Sequence, residues 1–313
     1  MLNNFNFLVM NNRNVNYANL FEDMVDFTYD YVVSNELQSA VLGVSGGIDS
    51  TVVAALLYEV KKRLEVSHPD MPFGVLGYSL PTQTTADDEY LISTFVGNAF
   101  CSTFTTYDIG NVAKTVQDSF MGDDYSCNWD PFRGGNIKAR LRMIYLYDKA
   151  KKYNGFVVGT DNFTEKLLGF STIGGDALAD YMPIQYLWKT DVYKLAHYLL
   201  NKYKEENNYA AVNAIYQSMN IPPQDGLGIS ASDMDQIGAN SYYDVDKILY
   251  AYIKAVGVDV RNTISDAHFE FMDGKYNELT KEFTKVVVDR VLDRYLNNFK
   301  LALPIEFFGV APV

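Results

Sequence analysis

A glycine-rich turn, Val44-Ser45-Gly46-Gly47-Ile48-Asp49-Ser50, separates two apolar segments of this 313-residue chain. The apolar runs at residues 40–44 and 51–58 predict a buried strand before the turn and a helix after it. Adjacent glycines let the backbone come close to a ligand, and the first amides of a helix have no acceptor within the helix. The stretch therefore predicts a phosphate site, to which Ser45 and Ser50 add hydroxyl donors.

Asp49 indicates that a divalent cation also binds at this site. An acid beside a phosphate is repulsive unless a divalent cation bridges the two groups, so we expect a nucleotide bound together with magnesium. The stretch is not a Walker A loop, because it lacks the G-x-x-x-x-G-K-[ST] pattern and its lysine. An ordinary Gly-Gly turn capped by Asp or Ser is the alternative. It is less favoured because strand, turn and helix follow in order with all six residues in place.

Composition narrows the classes of function. The chain is 48% hydrophobic and can bury the core of one large or two modest domains. No stretch is apolar for the length of a membrane span, and the N-terminus lacks a signal-peptide pattern, so we expect a cytoplasmic protein without a membrane partner. A net charge of −13 argues against a nucleic-acid partner. The two cysteines, Cys101 and Cys127, are expected to be reduced thiols.

Four apolar runs predict strands, at residues 40–44, 73–80, 104–109 and 155–160. Helical patterns lie between the runs, and a further helix with one apolar face is predicted before them at residues 18–33. This alternation predicts an α/β fold, a Rossmann-like, doubly wound, mostly parallel sheet flanked by helices. In such sheets, ligands bind at the carboxyl ends of the strands.

Polar residues follow the first and fourth predicted strands, where a site is expected. Ser45 follows the first strand and Thr160 ends the fourth. Glu165 could complete a metal site with Asp49, and Lys189 could meet the phosphates. Taken alone, each of these charged residues would more often be a surface charge.

A basic cluster lies between the third and fourth predicted strands, at Lys138, Arg140 and Arg142. A solvated basic turn is one interpretation of it, since charge runs usually face water. In an acidic protein, this concentration of positive charge also suits an anionic ligand.

Residues 45–50 resemble the pyrophosphate loop of the N-type ATP pyrophosphatases, which cleave ATP between its alpha and beta phosphates. Further stretches extend the likeness, and together they resemble the ammonia-dependent NAD synthetases. These stretches are Phe132 to Arg140, Gly159 to Glu165, Gly175 to Pro183 and Lys189 to Leu195. The similarity runs from about Val25 to Lys194 and continues more weakly through 227–230 and 300–304.

The resemblance implies one domain over residues 1–313 with an adenine nucleotide alpha hydrolase-like fold and a helical C-terminal part from about 231 to 313. It implies no glutaminase domain, because about forty residues precede the first strand. Ammonia would be free or would come from a separate glutaminase. A homodimer is also implied, to which the segments 245–253 and 283–299 could contribute. Packing of these segments in the core is an equal alternative.

The implied reaction is an amidation in two steps. The nicotinate carboxylate of deamido-NAD attacks the alpha phosphate of ATP, which gives an acyl-adenylate and pyrophosphate, and ammonia then displaces AMP. Adenylation is needed because a carboxylate would otherwise have to expel oxide. ATP is thus a co-substrate and Mg²⁺ the cofactor, and the protein supplies placement and charge neutralisation.

The resemblance also assigns site residues. The ATP site would comprise Ser45, Gly46, Gly47, Ile48, Asp49, Ser50, Thr160 and Lys189, and the magnesium ligands would be Asp49 and Glu165. The deamido-NAD site would comprise Tyr31, Phe132, Asn136, Arg140, Asp176, Asp180 and Lys300. The catalytic set would be Asp176, Lys189 and Asp49. Asp176 is expected to help receive ammonium and take its proton, because the nucleophile must be neutral ammonia.

The chain departs from the family pattern at the acceptor end of the site. Ile173 stands where the family often has a lysine, and Ser79 where a basic residue is often found. The closing His-Lys-Arg of the family is Phe299-Lys300-Leu301 here. These changes concern affinity for deamido-NAD more than the ATP chemistry.

Two other classes of function are therefore open. One is another N-type ATP pyrophosphatase that amidates or adenylates a related carboxylate. The tRNA thiolases, lysidine synthetases and GMP synthetases of that group would need a basic nucleic-acid face, catalytic cysteines or another second motif, which we do not find. The other is a non-catalytic nucleotide-binding relative.

Overall fold

The computed structural model describes residues 15–121, 131–222, 232–257 and 266–298. Within them, four strands form a parallel sheet in the order β3-β2-β1-β4. Their bounds are β1 Ser39–Gly43, β2 Gly74–Ser79, β3 Thr103–Thr106 and β4 Gly155–Val158. The order reverses beside β1, because β2 and β3 extend to one side and β4 lies on the other. Ligands of such sheets bind at this reversal, outside the carboxyl ends of the strands.

Helices connect and follow the strands. Those before and between the strands are α1 Tyr17–Ser34, α2 Ile48–Ser67, α3 Asp87–Phe100, α4 Gly110–Met121 and α5 Pro131–Lys152. Those after β4 are α6 Phe163–Leu168, α7 Lys189–Glu205, α8 Tyr209–Asn220, α9 Asp233–Ile237, α10 Tyr242–Val256, α11 Asp266–Asp273, α12 Lys275–Glu282 and α13 Lys285–Leu296. None of the helices in the described ranges is both long and apolar enough to cross a membrane.

The predicted α/β fold is confirmed, and apolar side chains cover both faces of the sheet. Ala40 and Leu42 of β1 point into one core with α1, α2, α7 and α8. Val41, between them, points into a second core with α5. This alternation is the period of a strand, and it explains why the run at 40–44 contains no polar residue.

A third core holds the C-terminal helices together with α6 and the start of α7. It contains Val245, Ile248 and Leu249 of α10 and Val288 and Val291 of α13. The apolar faces expected at 245–253 and 283–299 are therefore largely used in packing within the chain. The homodimer stays a prediction.

The predicted strands agree with the structure to within about two residues, except that β3 ends at Thr106 rather than 109. The helix predicted from the apolar run at 51–58 extends from Ile48 to Ser67. The sequence says little about residues 203–220, and α8 occupies most of that segment.

The absence of a side chain at Gly155 allows β4 to pair closely with β1. A Cβ at Gly155 would lie 2.4 Å from the backbone oxygen of Ser39, its partner in the ladder. We therefore expect Gly155→Ala to lower the free energy of unfolding by about 1–3 kcal/mol, because the two backbones must separate. Gly74→Ala is the matched control, since Gly74 pairs with the same Ser39 from β2 and its Cβ would meet nothing closer than 3.6 Å. Urea unfolding of both variants measures this, and equal losses would contradict it.

Candidate active site

The turn after β1 has the geometry of an anion site. Gly46 adopts a φ of +90°, and a Cβ there would lie 2.8 Å from the carbonyl oxygen of Glu89 and 2.9 Å from the amide nitrogen of Ser93. Only glycine fits, because both the dihedral angle and the space exclude a side chain. Gly47 is the N-cap of α2 and makes no side-chain cap bond, so the first amides of a 20-residue helix face the turn.

Two hydroxyls lie close together in the turn. Ser45 Oγ is 3.1 Å from Ser50 Oγ and accepts a hydrogen bond of 3.2 Å from the amide of Gly47. Ser50 Oγ also contacts the carbonyl oxygen of Gly47 at 3.0 Å. These bonds hold both hydroxyls beside the start of α2, whose first amides have no acceptor within the helix.

A buried ion cluster lies beside the turn. Lys189 Nζ donates to Asp49 Oδ2 at 2.5 Å and to Glu165 Oε1 at 2.7 Å. Asn162 Nδ2 donates to the other Asp49 oxygen at 2.9 Å. Lys189 is 3% exposed, and the ring of Tyr242 lies 5.0 Å from its ammonium. Asp49, Glu165 and Lys189 each lie in the first turn of a helix, α2, α6 and α7 respectively.

Burial and mutual attraction set the charges of this cluster. Burial raises the pKa of Glu165 to about 7, against the opposing effect of Lys189. Burial alone would lower the pKa of Lys189, but Asp49 and Glu165 outweigh it and hold that pKa well above its ordinary value. Lys189 is therefore a permanent ammonium between two carboxyl groups.

The cluster and the turn line one cavity of about 450 Å³. Most of the residues predicted for ATP and metal line it, namely Ser45, Gly47, Ile48, Asp49, Ser50, Thr160, Glu165 and Lys189. Three of those predicted for deamido-NAD also line it, namely Phe132, Asn136 and Asp176. Gly46 shapes the turn without lining the cavity. Lys300 lies outside the described residues.

Thr172 links the residues at the acceptor end of the cavity. Its amide donates to Asp176 Oδ1 at 2.6 Å, and its hydroxyl donates to Asn136 Oδ1 at 2.8 Å. The loop that carries Asp176 is thereby held against α5, which also carries Phe132.

Three residues predicted for deamido-NAD do not line this cavity, and each makes another contact within the chain. Asp180 accepts from the amide of Val157 at 2.8 Å, which ties its loop to β4. Tyr31 stacks on Tyr181 with ring centroids 5.4 Å apart. Arg140 Nε donates to the carbonyl oxygen of Ile173 at 3.1 Å.

The model of the family described as NAD synthase matches residues 20–284 of this chain. The chain belongs to the NAD synthase family. It is therefore a carbon–nitrogen ligase of NAD biosynthesis, and the family uses ATP as a co-substrate. Members of this family act on deamido-NAD, ATP and ammonia.

Relatives within this family cover most of the chain. The NH(3)-dependent NAD(+) synthetase of Thermoplasma volcanium is 33% identical over 212 residues, which is 68% of this chain and 76% of that protein. The enzyme of the same description from Helicobacter pylori strain J99 is 28% identical over 289 residues, 92% of this chain and 95% of that protein.

Solved structures share the fold of this NAD synthase family member. The NMN synthetase of Francisella tularensis aligns with a TM-score of 0.66 and 22% identity, over 96% of this chain and 99% of that one. The NH3-dependent NAD synthetase of Campylobacter jejuni aligns with a TM-score of 0.58 and 23% identity, over 96% and 98%.

Sequence reasoning missed several residues of the cavity wall. Tyr193 lies one helical turn after Lys189, and this spacing could have identified it. Asp233 and Arg294 also line the cavity, but they come from the C-terminal helices. No local pattern marks them, because only tertiary packing brings them to the site.

The donor set fits a magnesium ion bound together with a nucleotide. Mg²⁺ is usually bound by one or two carboxylates plus substrate phosphates and water. Asp49 and Glu165 supply two carboxylates within reach of one point. No group of three Asp, Glu, His or Cys suited to a metal occurs among the described residues, so phosphates and water would complete the shell.

Lys189→Met should leave Asp49 and Glu165 facing one another without a cation. We expect the free energy of unfolding in metal-free buffer to fall by about 3–5 kcal/mol, because one partner of a buried ion cluster is removed. Millimolar Mg²⁺ should recover part of this loss, because a ligand of the native state stabilises it by mass action. Urea unfolding with EDTA or with Mg²⁺ measures both effects.

Lys194→Met is the control for this variant. Lys194 lies on the same helix, 57% exposed and 3.6 Å from Asp191, so its loss should cost less than about 1 kcal/mol and should not respond to Mg²⁺. Equal behaviour of the two variants would contradict the proposed metal site.

Proposed function

We propose that this chain joins ammonia to the nicotinate carboxylate of deamido-NAD through an acyl-adenylate formed at the Asp49–Glu165–Lys189 cluster. The observation that carries the proposal is the position of this buried cluster, beside an anion-binding turn at the reversal of a parallel sheet. A nucleotide site at that point needs both phosphate donors and a means to neutralise phosphate charge.

The phosphate end of the mechanism follows from the turn and the cluster. The amides at the start of α2 and the hydroxyls of Ser45 and Ser50 would hold the beta and gamma phosphates. Mg²⁺ bound by Asp49 and Glu165 would offset the charge that develops as the alpha–beta bond breaks. Lys189 would donate to a phosphate oxygen, and Thr160 would contact the nucleotide.

The acceptor end would be formed by Phe132, Asn136 and Asp176. The carboxylate attacks the alpha phosphorus, pyrophosphate leaves, and ammonia then attacks the acyl carbon so that AMP leaves. Asp176 would take the proton that the incoming ammonium must lose. The roles expected for Tyr31, Arg140, Asp180 and Lys300 stay predictions, as do the homodimer and the cytoplasmic location.

A related nicotinate carboxylate is the second candidate for the acceptor. Ile173, where the family often has a lysine, is an exposed apolar side chain here, and Arg140 is bonded to its backbone. The cation that the family often has at this position is thus absent, which would weaken binding of deamido-NAD.

The test is AMP release by the purified protein with ATP and Mg²⁺. We expect release to require both ammonium and an acceptor carboxylate, with deamido-NAD preferred over nicotinate mononucleotide. Preference for the mononucleotide would establish the second candidate. The absence of AMP release with either acceptor would refute the proposed function.

Asp176→Asn tests the proton transfer. The amide oxygen of asparagine can still accept from Thr172, so the loop should keep its shape while the base is lost. We expect amidation at neutral pH to fall about 100-fold, in the range typical of a lost general base. The deficit should shrink as pH rises, because more of the ammonium is then already neutral. Amidation as fast as the parent at neutral pH would remove Asp176 from the mechanism.

A further inference from the structure

Asp246 of α10 is a buried carboxylate outside the cavity, and both of its oxygens are used. It is 6% exposed. Its Oδ1 accepts from the Thr164 hydroxyl at 2.5 Å, and its Oδ2 accepts from the amide of Thr190 at 2.9 Å. The side chain thus joins the C-terminal helices to α6 and to the start of α7.

These two bonds converge on the backbone of Lys189. The Thr164 hydroxyl that donates to Asp246 also accepts from the amide of Lys189 at 2.9 Å. Asp246 therefore reaches the amide of Lys189 through Thr164 and the next amide directly. These are the first two amides of α7, whose N-cap Trp188 provides no side-chain cap bond.

The same helix also contacts the other end of Lys189. Tyr242 precedes Asp246 by one turn of α10, so the two side chains lie on one face. The Tyr242 ring lies 5.0 Å from the Lys189 ammonium, while Asp246 accepts from the amide of Thr190 and, through the Thr164 hydroxyl, is linked to the amide of Lys189. Thr164 directly precedes Glu165, so the bond that Thr164 donates to Asp246 also restrains the residue whose carboxylate contacts Lys189.

A helix cap alone would not need this residue. Serine, threonine or asparagine satisfies the amides of a helix start without burying a charge. Burial raises the pKa of Asp246 to about 6, so the carboxylate is held here at a cost. What the acid provides is two acceptor oxygens on one rigid group, which reach two elements of the site together.

We propose that Asp246 is a positioning residue: it acts through Thr164 and Thr190 to hold Lys189 and Glu165 in the positions that adenylation of the acceptor requires. This inference rests on the proposed function of the Asp49–Glu165–Lys189 cluster. It assigns a role in the site to α10, in addition to its role in the C-terminal core.

Two variants separate positioning from stability. In Asp246→Asn, an NH2 donor replaces one of the two oxygens, so the side chain no longer presents an acceptor at both the Thr164 and the Thr190 position. In Thr164→Val, the connecting hydroxyl is lost and the shape is kept. We expect kcat per folded molecule to fall at least about tenfold in each variant, and KM for deamido-NAD to change less than about threefold. The reason is that small displacements of Lys189 and Glu165 affect the transition state more than substrate binding. Thr164→Ser, which keeps the hydroxyl, should restore the parent kcat.

Trp188 supplies a readout independent of turnover. It directly precedes Lys189 and packs edge-on against Phe163, with ring centroids 5.0 Å apart. In a Trp129→Phe background it is the single tryptophan of the chain. Its emission should shift in Asp246→Asn and Thr164→Val but not in Thr164→Ser. The dissociation constant for Mg²⁺–ATP, measured without acceptor, should rise in the first two variants.

Asp244→Asn is the matched control, since it makes the same charge change on α10 at a partly exposed position. Its kcat and Trp188 emission should equal those of the parent. The inference is overturned if Asp246→Asn and Thr164→Val lower the unfolding midpoint while kcat per folded molecule stays at the Asp244→Asn value. If Asp246→Asn does not fold, Thr164→Val decides the matter. If the parent releases no AMP, the proposed function fails, while emission and Mg²⁺–ATP binding still test the position of Lys189.

Discussion

The buried ammonium of Lys189, held between Asp49 and Glu165, is the interaction on which the site depends. The three residues lie on three different helices, so the cluster forms only when α2, α6 and α7 are all in place. Three groups taken out of water are costly, and the loss of Lys189 would leave the two carboxyl groups without a cation. The arrangement is therefore poor as a source of stability, and its value lies in what it can bind.

The sheet explains why these residues meet. Because β1 and β4 are adjacent and parallel, the segments that follow them start at the same edge. Asp49 begins the helix after β1, and Glu165 begins the helix after β4. Their separation is thus set by the strand register, which the close contact of Gly155 with Ser39 makes sensitive to a single methyl group. Stability of the sheet and geometry of the site are linked at this pair of strands.

Local features made the sheet and the phosphate turn predictable. Neighbouring residues alone form the patterns of the strands, the paired glycines and the helix start. The order of these elements then places Asp49 near Glu165. The bridging position of Lys189 was not predicted, because its expected partners were phosphates. Packing of the C-terminal helices alone brings Asp233 and Arg294 to the cavity and Asp246 to the start of α7. These three residues were therefore not predicted from the sequence. A resemblance, in turn, assigns a role to Asp180 without indicating that one of its oxygens bonds to β4.

The charges of the cluster constrain the order in which ligands can bind. Without ligand, the Lys189 ammonium contacts both carboxyl groups. A nucleotide that drew Lys189 toward its phosphates would leave Asp49 and Glu165 facing each other and facing further negative charge. That state is unfavourable in a buried site unless a cation takes the position between them. Under the proposed function, Asp49 and Glu165 would hold Mg²⁺ together with the nucleotide, and Lys189 would then be able to turn from these carboxyl groups to a phosphate. An acid in a phosphate turn, unfavourable by itself, becomes the feature that makes nucleotide binding depend on the metal.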